Sequence, residues 1–247
     1  RLAEAGNYEV VVRNSFGAVT SSVAALTVQP KVVTLAGATA ENKFFDGKTN
    51  ATLRLPWTNL IARYDFEEAA GDALDSIRGA SGSGTLNGAP SRADLDGRRA
   101  LELNGVNQWM LAKVPFTNGT TSMSISTWVK LRDYVFWGEI VNSWTDNRGF
   151  MLSLVENNKN FASSMWFPGG DRYAQDAVNS VALGTWYHVM MTYDGSLPAD
   201  ERTKLYVNGV WKASAAGDAA MNFSTWMAVG VKLNGIGTAA DTSPYRG

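Results

Sequence analysis

The chain contains no cysteine and a single histidine among its 247 residues. No disulfide can therefore stabilise the fold, and a zinc site built from sulfur and nitrogen ligands is nearly excluded. Charged residues make up only 18% of the chain and the formal net charge is −1. The chain thus lacks the basic field that non-specific nucleic-acid binding needs. No apolar run approaches the roughly 20 residues of a membrane span, so the sequence predicts no membrane insertion.

The chain begins at Arg1, without methionine or signal peptide, so we expect an internal piece of a longer protein with neighbouring domains. Its length suits one large β-domain or two small ones. No stretch keeps a 3.6-residue hydrophobic period, whereas short alternating segments and turn signals recur. This pattern predicts an antiparallel β-sandwich with little helix.

Two segments carry the clearest strand signals. Residues 185–195 alternate and end at Asp-Gly, and residues 205–209 end at Asn-Gly, a strong hairpin signal. Residues 122–130 also alternate, which places Met123 and Val129 on the side that we expect to face the core. Residues 60–66 predict a further strand, and the Gly/Ser-rich residues 79–84 predict a loop. Two tryptophans within the alternating segments are predicted to be core residues, Trp128 and Trp186.

These segments and their order resemble the laminin-G-like, concanavalin A-like lectin jelly-roll domains of bacterial secreted or surface proteins. The resemblance includes Ala-Leu-Glu-Leu-Asn-Gly at 100–105 and extends over residues 60–247. It implies an all-β fold, an antiparallel two-sheet jelly-roll sandwich. The chain stops at Gly247, where the family's last strand should begin, so we expect that strand to be missing.

The N-terminal segment resembles a different fold. Tyr8 stands two residues before Val10, as the tyrosine corner of an immunoglobulin-like domain precedes a buried position. Residues 1–29 are therefore interpreted as the C-terminal hairpin of a truncated immunoglobulin-like domain, with an unrelated hairpin as the alternative. Residues 30–57 are predicted to be a linker or spacer, and residues 58–247 the jelly-roll domain.

The acidic residues do not form a catalytic pattern. Glycosidases need two carboxylates about 5–9.5 Å apart, and the glucanase pattern Glu-x-Asp-x-(x)-Glu is not found in the sequence. Glu67 and Glu68 are adjacent and would point to opposite faces of a strand, and Asp94 and Asp96 precede a glycine in a predicted turn. His188 is interpreted as a structural residue. The sequence therefore predicts no enzyme.

The resemblance implies one cofactor, a structural Ca²⁺ near the rim of the sandwich. Such an ion takes 6–8 oxygen ligands from side chains and loop carbonyls. The matching positions are Asp75 and, second, Asn104. The alternative is that Asp75 only caps a turn through the neighbouring backbone.

Two aromatic segments suggest a ligand-binding surface. Sugars bind flat aromatic faces together with a few planar polar groups, although sandwich strands also use such residues as core or edge filler. The predicted binding platform consists of Trp137, Trp144, Trp166, Arg172 and Tyr173.

Together these observations predict a non-catalytic binding or adhesion module of a large bacterial protein, located outside the cell or on its surface. The expected partner is a glycan or an extracellular protein. Two alternatives stay open: an accessory carbohydrate-binding domain of a polysaccharide-degrading enzyme, and a structural stalk domain.

Overall fold

The computed structural model describes residues 6–26, 39–40, 53–54, 60–95, 98–134, 138–143, 148–155, 157–167 and 170–231. The chain divides into two compact units, Arg1–Asn59 and Leu60–Gly247.

The first unit contains short antiparallel strand pairs. Strand β1 (Gly6–Tyr8) pairs with β4 (Ala24–Leu26), and β2 (Val11–Asn14) pairs with β3 (Gly17–Thr20). The N-terminal hairpin predicted from the sequence is thus confirmed, although each arm is interrupted. A third pair joins β5 (Thr39–Ala40) to β6 (Leu53–Arg54). The side chains of residues 6–26 are all exposed, so this hairpin forms no core of its own. Its immunoglobulin-like origin stays a prediction.

The second unit is built from fourteen described strands and one 3₁₀ turn, Ala199–Glu201, and its described residues contain no α-helix. The strands are β7 (Ala73–Asp75), β8 (Gly79–Asn87), β9 (Ser91–Leu95), β10 (Arg98–Glu102), β11 (Trp109–Lys113), β12 (Ser122–Lys130), β13 (Gly138–Asn142), β14 (Gly149–Val155), β15 (Asn160–Phe167), β16 (Gly170–Gln175), β17 (Trp186–Asp194), β18 (Thr203–Val207), β19 (Val210–Ala215) and β20 (Trp226–Val229).

Twelve of these strands form two large antiparallel sheets, and β9 pairs with β10 in a separate two-stranded sheet. An eight-stranded sheet has the order β16-β15-β14-β13-β20-β11-β8-β7, and a four-stranded sheet has the order β12-β17-β18-β19. The core lies between them: Phe150 and Met165 of the larger sheet share one buried cluster with Val189 and Leu205 of the smaller. The predicted all-β jelly-roll sandwich is confirmed.

The alternation of β12 predicted its buried side correctly. Met123 and Val129 are 7% and 5% exposed, while Trp128 on the opposite side is 66% exposed. The prediction that Trp128 and Trp186 are core residues is therefore wrong. Both lie on the outward side of the four-stranded sheet, because successive side chains of a strand point to opposite faces.

One strand prediction and one loop prediction are also wrong. Residues 60–66 contribute only an isolated bridge from Tyr64 to Asp75, and Phe66 has φ +58°, which interrupts an extended chain. The Gly/Ser-rich run 79–84 is not a loop but the first part of β8. A Cβ on Gly84 would lie 2.5 Å from the Sδ atom of the fully buried Met110, so any larger residue would force Met110 to shift.

The Asn-Gly hairpin is confirmed. Asn208 and Gly209 have φ of +51° and +77° and connect β18 to β19. Two residues with positive φ are what a type I′ turn requires, which explains the dipeptide. The predicted absence of the last strand concerns residues 232–247, which lie outside the described residues.

Candidate functional site

The structure brings together two members of the predicted platform and separates a third. Strands β15 and β16 pair Trp166 with Asp171, Met165 with Arg172, and Ser164 with Tyr173. Directly paired residues project from the same face. Trp166 and Tyr173 therefore share the face turned away from the core, while Arg172 projects on the core side with Met165.

Arg172 is held on the core side by its own contacts. Its guanidinium carbon lies 5.8 Å from the ring centroid of Phe167, and one Nη donates a hydrogen bond to the carbonyl oxygen of Gly170 at 3.0 Å. Phe167 is buried in the core. Arg172 thus covers an aromatic core residue. Trp137 and Trp144 lie outside the described residues.

The face that carries Trp166 and Tyr173 is lined with polar residues from adjacent strands. One cross-strand row runs Asn142–Met151–Ser164–Tyr173, and the next runs Glu139–Ser153–Ala162–Gln175. We call this surface the Trp166 face, defined by Glu139, Asn142, Met151, Ser153, Ser164, Trp166, Tyr173 and Gln175.

Most polar side chains of the Trp166 face are buried. Glu139, Asn142, Ser153 and Ser164 are at most 2% exposed, whereas Trp166 and Tyr173 are only partly buried. Within the part of the chain that the structure describes, the hydroxyls of Ser153 and Ser164 accept and donate no hydrogen bond. An unsatisfied buried polar group costs about 1–3 kcal/mol of stability. These two hydroxyls therefore destabilise the fold rather than contribute to its packing. The accessible part of the face is its Trp166 end.

Asp75, predicted as a metal ligand, is instead the centre of a closed hydrogen-bond cluster. It is 1% exposed. Its Oδ1 accepts hydrogen bonds from the backbone N–H groups of Arg63, Ile77 and Arg78 at 3.1, 2.9 and 3.1 Å. Its Oδ2 accepts from Nε of Arg78 at 2.5 Å. Tyr64 continues the cluster, because its hydroxyl accepts from Nη2 of Arg78 at 2.9 Å.

The cluster decides the ionisation of both acidic groups. Burial raises the pKa of Asp75, but the hydrogen bonds from Arg78, Ile77 and Arg63 outweigh it and hold that pKa below its usual value. Burial raises the pKa of the Tyr64 hydroxyl. Asp75 is therefore an ionised carboxylate already neutralised by a guanidinium.

The predicted calcium ligands do not fit a metal ion in this arrangement. A cation at Asp75 would have to displace Arg78 and compete with three backbone donors. Asn104 closes its own turn, since its Oδ1 accepts from the N–H groups of Val106 and Asn107 at 2.9 and 3.1 Å. The described residues contain no group of three or more His, Cys, Asp or Glu side chains that could hold a metal. Asp75 has the turn-capping contacts that were the alternative from sequence.

Sequence reasoning missed Arg78, Tyr64 and the polar residues beside Trp166. Arg78 follows Asp75 by three residues, and this spacing was the available signal for their pairing. Glu139, Asn142, Ser153 and Ser164 come together only through strand register, which the local sequence does not specify. His188 lies on the outward face of the four-stranded sheet, with its ring centroid 5.3 Å from that of Trp128.

Residues 104–245 match the profile of a laminin G-like family described as the concanavalin A-like lectin/glucanases superfamily. No curated protein matches the chain in sequence. In the described residues, no helix is both long and apolar enough to cross a membrane.

The chain is similar in structure to several solved proteins at low sequence identity. A receptor-binding domain superposes with a TM-score of 0.53 at 14% identity, covering 68% of this chain and 42% of that one. A heptameric SAP-like pentraxin from Limulus polyphemus gives a TM-score of 0.42 at 15% identity, covering 55% and 64%. Domains LG4-5 of the mouse laminin alpha1 chain give 0.42 at 11% identity, covering 64% and 46%. The chain spans less than two thirds of the length of each.

Proposed function

Because the chain belongs to the concanavalin A-like lectin/glucanases superfamily, we propose that it is a non-catalytic carbohydrate-binding or adhesion module of a larger extracellular bacterial protein, with the Trp166 face as its binding surface. Trp166 and Tyr173 occupy adjacent strands and project from the same face. Aromatic rings bind the apolar faces of sugars, and the partly exposed Gln175 on the same face offers an amide group for hydrogen bonds to sugar hydroxyls. This shared face is the observation that carries the proposal.

The arrangement of carboxylates supports binding rather than hydrolysis. Among the eight residues that define the Trp166 face, Glu139 is the one carboxylate, and it is 1% exposed. A glycosidase needs two carboxylates about 5–9.5 Å apart.

The test is binding of the whole chain to a panel of polysaccharides by affinity gel electrophoresis and calorimetry. Trp166→Ala and Tyr173→Ala should each weaken binding by roughly 1–3 kcal/mol, because each removes an aromatic surface that the sugar buries. This corresponds to about a 5- to 150-fold rise in Kd. Trp166→Phe should restore most of the affinity, and thermal melts should show that the variants are folded.

Arg172→Met is the matched control. It lies between Trp166 and Tyr173 in the hairpin but projects to the core side, and methionine keeps an apolar contact with Phe167. If Arg172 bound the sugar together with Trp166 and Tyr173, Arg172→Met would lose affinity. If the Trp166 face is the binding surface, this variant should bind like the parent. Failure of every polysaccharide to bind, or equal binding by the parent and Trp166→Ala, would contradict the proposal.

A further inference from the structure

The outward side of the four-stranded sheet exposes an unusual set of aromatic side chains. Trp128, Trp186 and Trp211 are 66%, 36% and 57% exposed. They belong to β12, β17 and β19, so they spread across the width of one sheet. An exposed apolar surface of this kind, bordered by polar residues, commonly marks a binding site. We call it the Trp128 face, defined by Ser126, Trp128, Lys130, Trp186, His188, Met190, Tyr206 and Trp211.

Strand register fixes the layout of the Trp128 face. One row pairs Trp128 with His188, and the adjacent row pairs Lys130 with Trp186. The third row runs Ser126–Met190–Tyr206–Trp211. The rings of Trp128 and Trp186 are thus diagonal neighbours, about 7–8 Å apart at their Cα atoms. Two sugar residues of one chain could contact both rings.

Contacts within the Trp128 face hold several of its rings in place. The ring centroids of Trp128 and His188 are 5.3 Å apart with an interplanar angle of 49°. The Nζ of Lys130 lies 6.0 Å from the ring centroid of Trp186. Nε1 of Trp211 donates a hydrogen bond to the carbonyl oxygen of Ala213 at 3.1 Å. Because these contacts order the rings before binding, less conformational entropy is lost when a ligand arrives.

The charges of this sheet face favour an anionic ligand. Lys130 and Lys204 project outward. The Nζ of Lys204 lies 3.4 Å from Oε2 of Glu201, which belongs to the 3₁₀ turn and not to the sheet. Among the outward-facing residues that the structure describes on these four strands, Asp194 is the one carboxylate. It stands at the end of β17 with its Oδ1 bonded to the hydroxyl and N–H of Ser196. The end with Trp128 and Trp186 therefore places the ammonium group of Lys130 beside exposed aromatic residues.

The size and composition of the face argue against a second copy of the chain as the occupant. Four strands of at most nine residues cover roughly 15 Å by 30 Å, about half of the ~800 Å² per partner of a stable protein interface. Hydroxyl groups also interleave with the aromatic residues, including Ser124, Ser126 and Thr192.

We propose that the Trp128 face binds an acidic polysaccharide, with sugar rings on Trp128 and Trp186 and an anionic group beside Lys130.

This second surface is independent of the Trp166 face. The test is affinity electrophoresis of the whole chain in gels that contain polygalacturonate or alginate, with neutral galactan or dextran in parallel gels. The acidic gels should retard the parent and the neutral gels should not. Trp128→Ala and Trp186→Ala should each raise the apparent Kd at least about tenfold, because each removes an exposed stacking surface. Lys130→Gln should weaken retardation and reduce its dependence on salt.

Val106→Ala is the control, since Val106 is 79% exposed and lies outside the Trp128 face. It should migrate like the parent. Equal retardation of the parent and Trp128→Ala, or equal retardation in neutral gels, would overturn the proposal. If Trp166→Ala loses retardation and Trp128→Ala keeps it, the acidic polysaccharide binds only the Trp166 face. A dimer in sedimentation equilibrium that Trp128→Ala dissociates would also overturn it, by making the face a self-interface.

Discussion

Removal of the Asp75 carboxylate should strongly destabilise the second unit. Asp75→Ala leaves three backbone N–H groups and the guanidinium of Arg78 without their acceptor in a buried setting. Breaking a buried ion pair by removing one partner costs about 3–5 kcal/mol. For a unit of this size 1 kcal/mol shifts the melting midpoint by about 2–4 °C, so the midpoint should fall by roughly 6–20 °C.

The assay is a circular-dichroism melt of the whole chain at neutral pH, with calcium and with a chelator. Asp75→Asn should lose less stability, because its amide oxygen still accepts from the backbone, although its NH₂ group faces Arg78. Asp200→Ala is the matched control, since Asp200 is exposed on the 3₁₀ turn. Exposed substitutions of this kind usually change stability by about 0.5 kcal/mol or less.

The same melts test the calcium question. If the oxygens of Asp75 are fully engaged by protein donors, calcium should leave the midpoint of the parent unchanged. A ligand that binds the native state raises the midpoint by mass action. The reasoning is refuted if Asp75→Ala melts within about 2 °C of the parent, or if calcium raises the parent midpoint and Asp75→Ala abolishes the rise.

Three further predictions concern the same unit. The pKa of Asp75 is lowered on folding, so its contribution to stability should be complete above the unfolded value of about 3.9 and should disappear as pH falls through the folded value; melts of the parent and Asp75→Asn between pH 6 and pH 2 should therefore converge at the acid end. Gly195→Ala should be more destabilising than Gly209→Ala in urea unfolding. A Cβ on Gly195 would collide with a backbone carbonyl oxygen. A Cβ on Gly209 would have open space, so the only cost is the strain of alanine at positive φ, about 1–2 kcal/mol; equal losses of stability in the two variants would contradict this. Gly84→Ala should cost about 1–3 kcal/mol by overpacking Met110, and a double variant with Met110→Ala should be more stable than the sum of the single losses predicts, which a double-mutant cycle measures.

Alternation and turn chemistry predicted the four-stranded sheet well. The pattern of β12 identified its buried side, and Asn208-Gly209 identified the hairpin from β18 to β19, because both signals are local. The type of residue was misleading where it conflicted with alternation. Trp128 was predicted to lie in the core because sandwich strands use tryptophan as core or edge filler, yet strand geometry exposes it. Burial therefore follows position on a strand more closely than hydrophobicity here.

The candidate site was only partly predictable because it depends on register between strands. Trp166, Arg172 and Tyr173 lie close in sequence, but pairing with β15 turns Arg172 to the opposite face. Residues 79–84 were predicted as a loop because their glycines permit turns with positive φ. In the structure these glycines serve close packing instead. Gly82 and Gly84 lie against Asp75 and Met110, where a Cβ would collide.

The position of β20 has a consequence for how the chain folds. In the eight-stranded sheet, β20 lies between β11 and β13, so it alone connects β7, β8 and β11 to the four strands β13–β16. The edges of β11 and β13 stay unpaired until residues 226–229 arrive, about 115 residues after β11. Such late, non-local pairing slows folding and leaves open edges that other chains can join. During synthesis the larger sheet can therefore close only when the ribosome has passed Val229, and nascent chains shorter than this are the stage most exposed to aggregation.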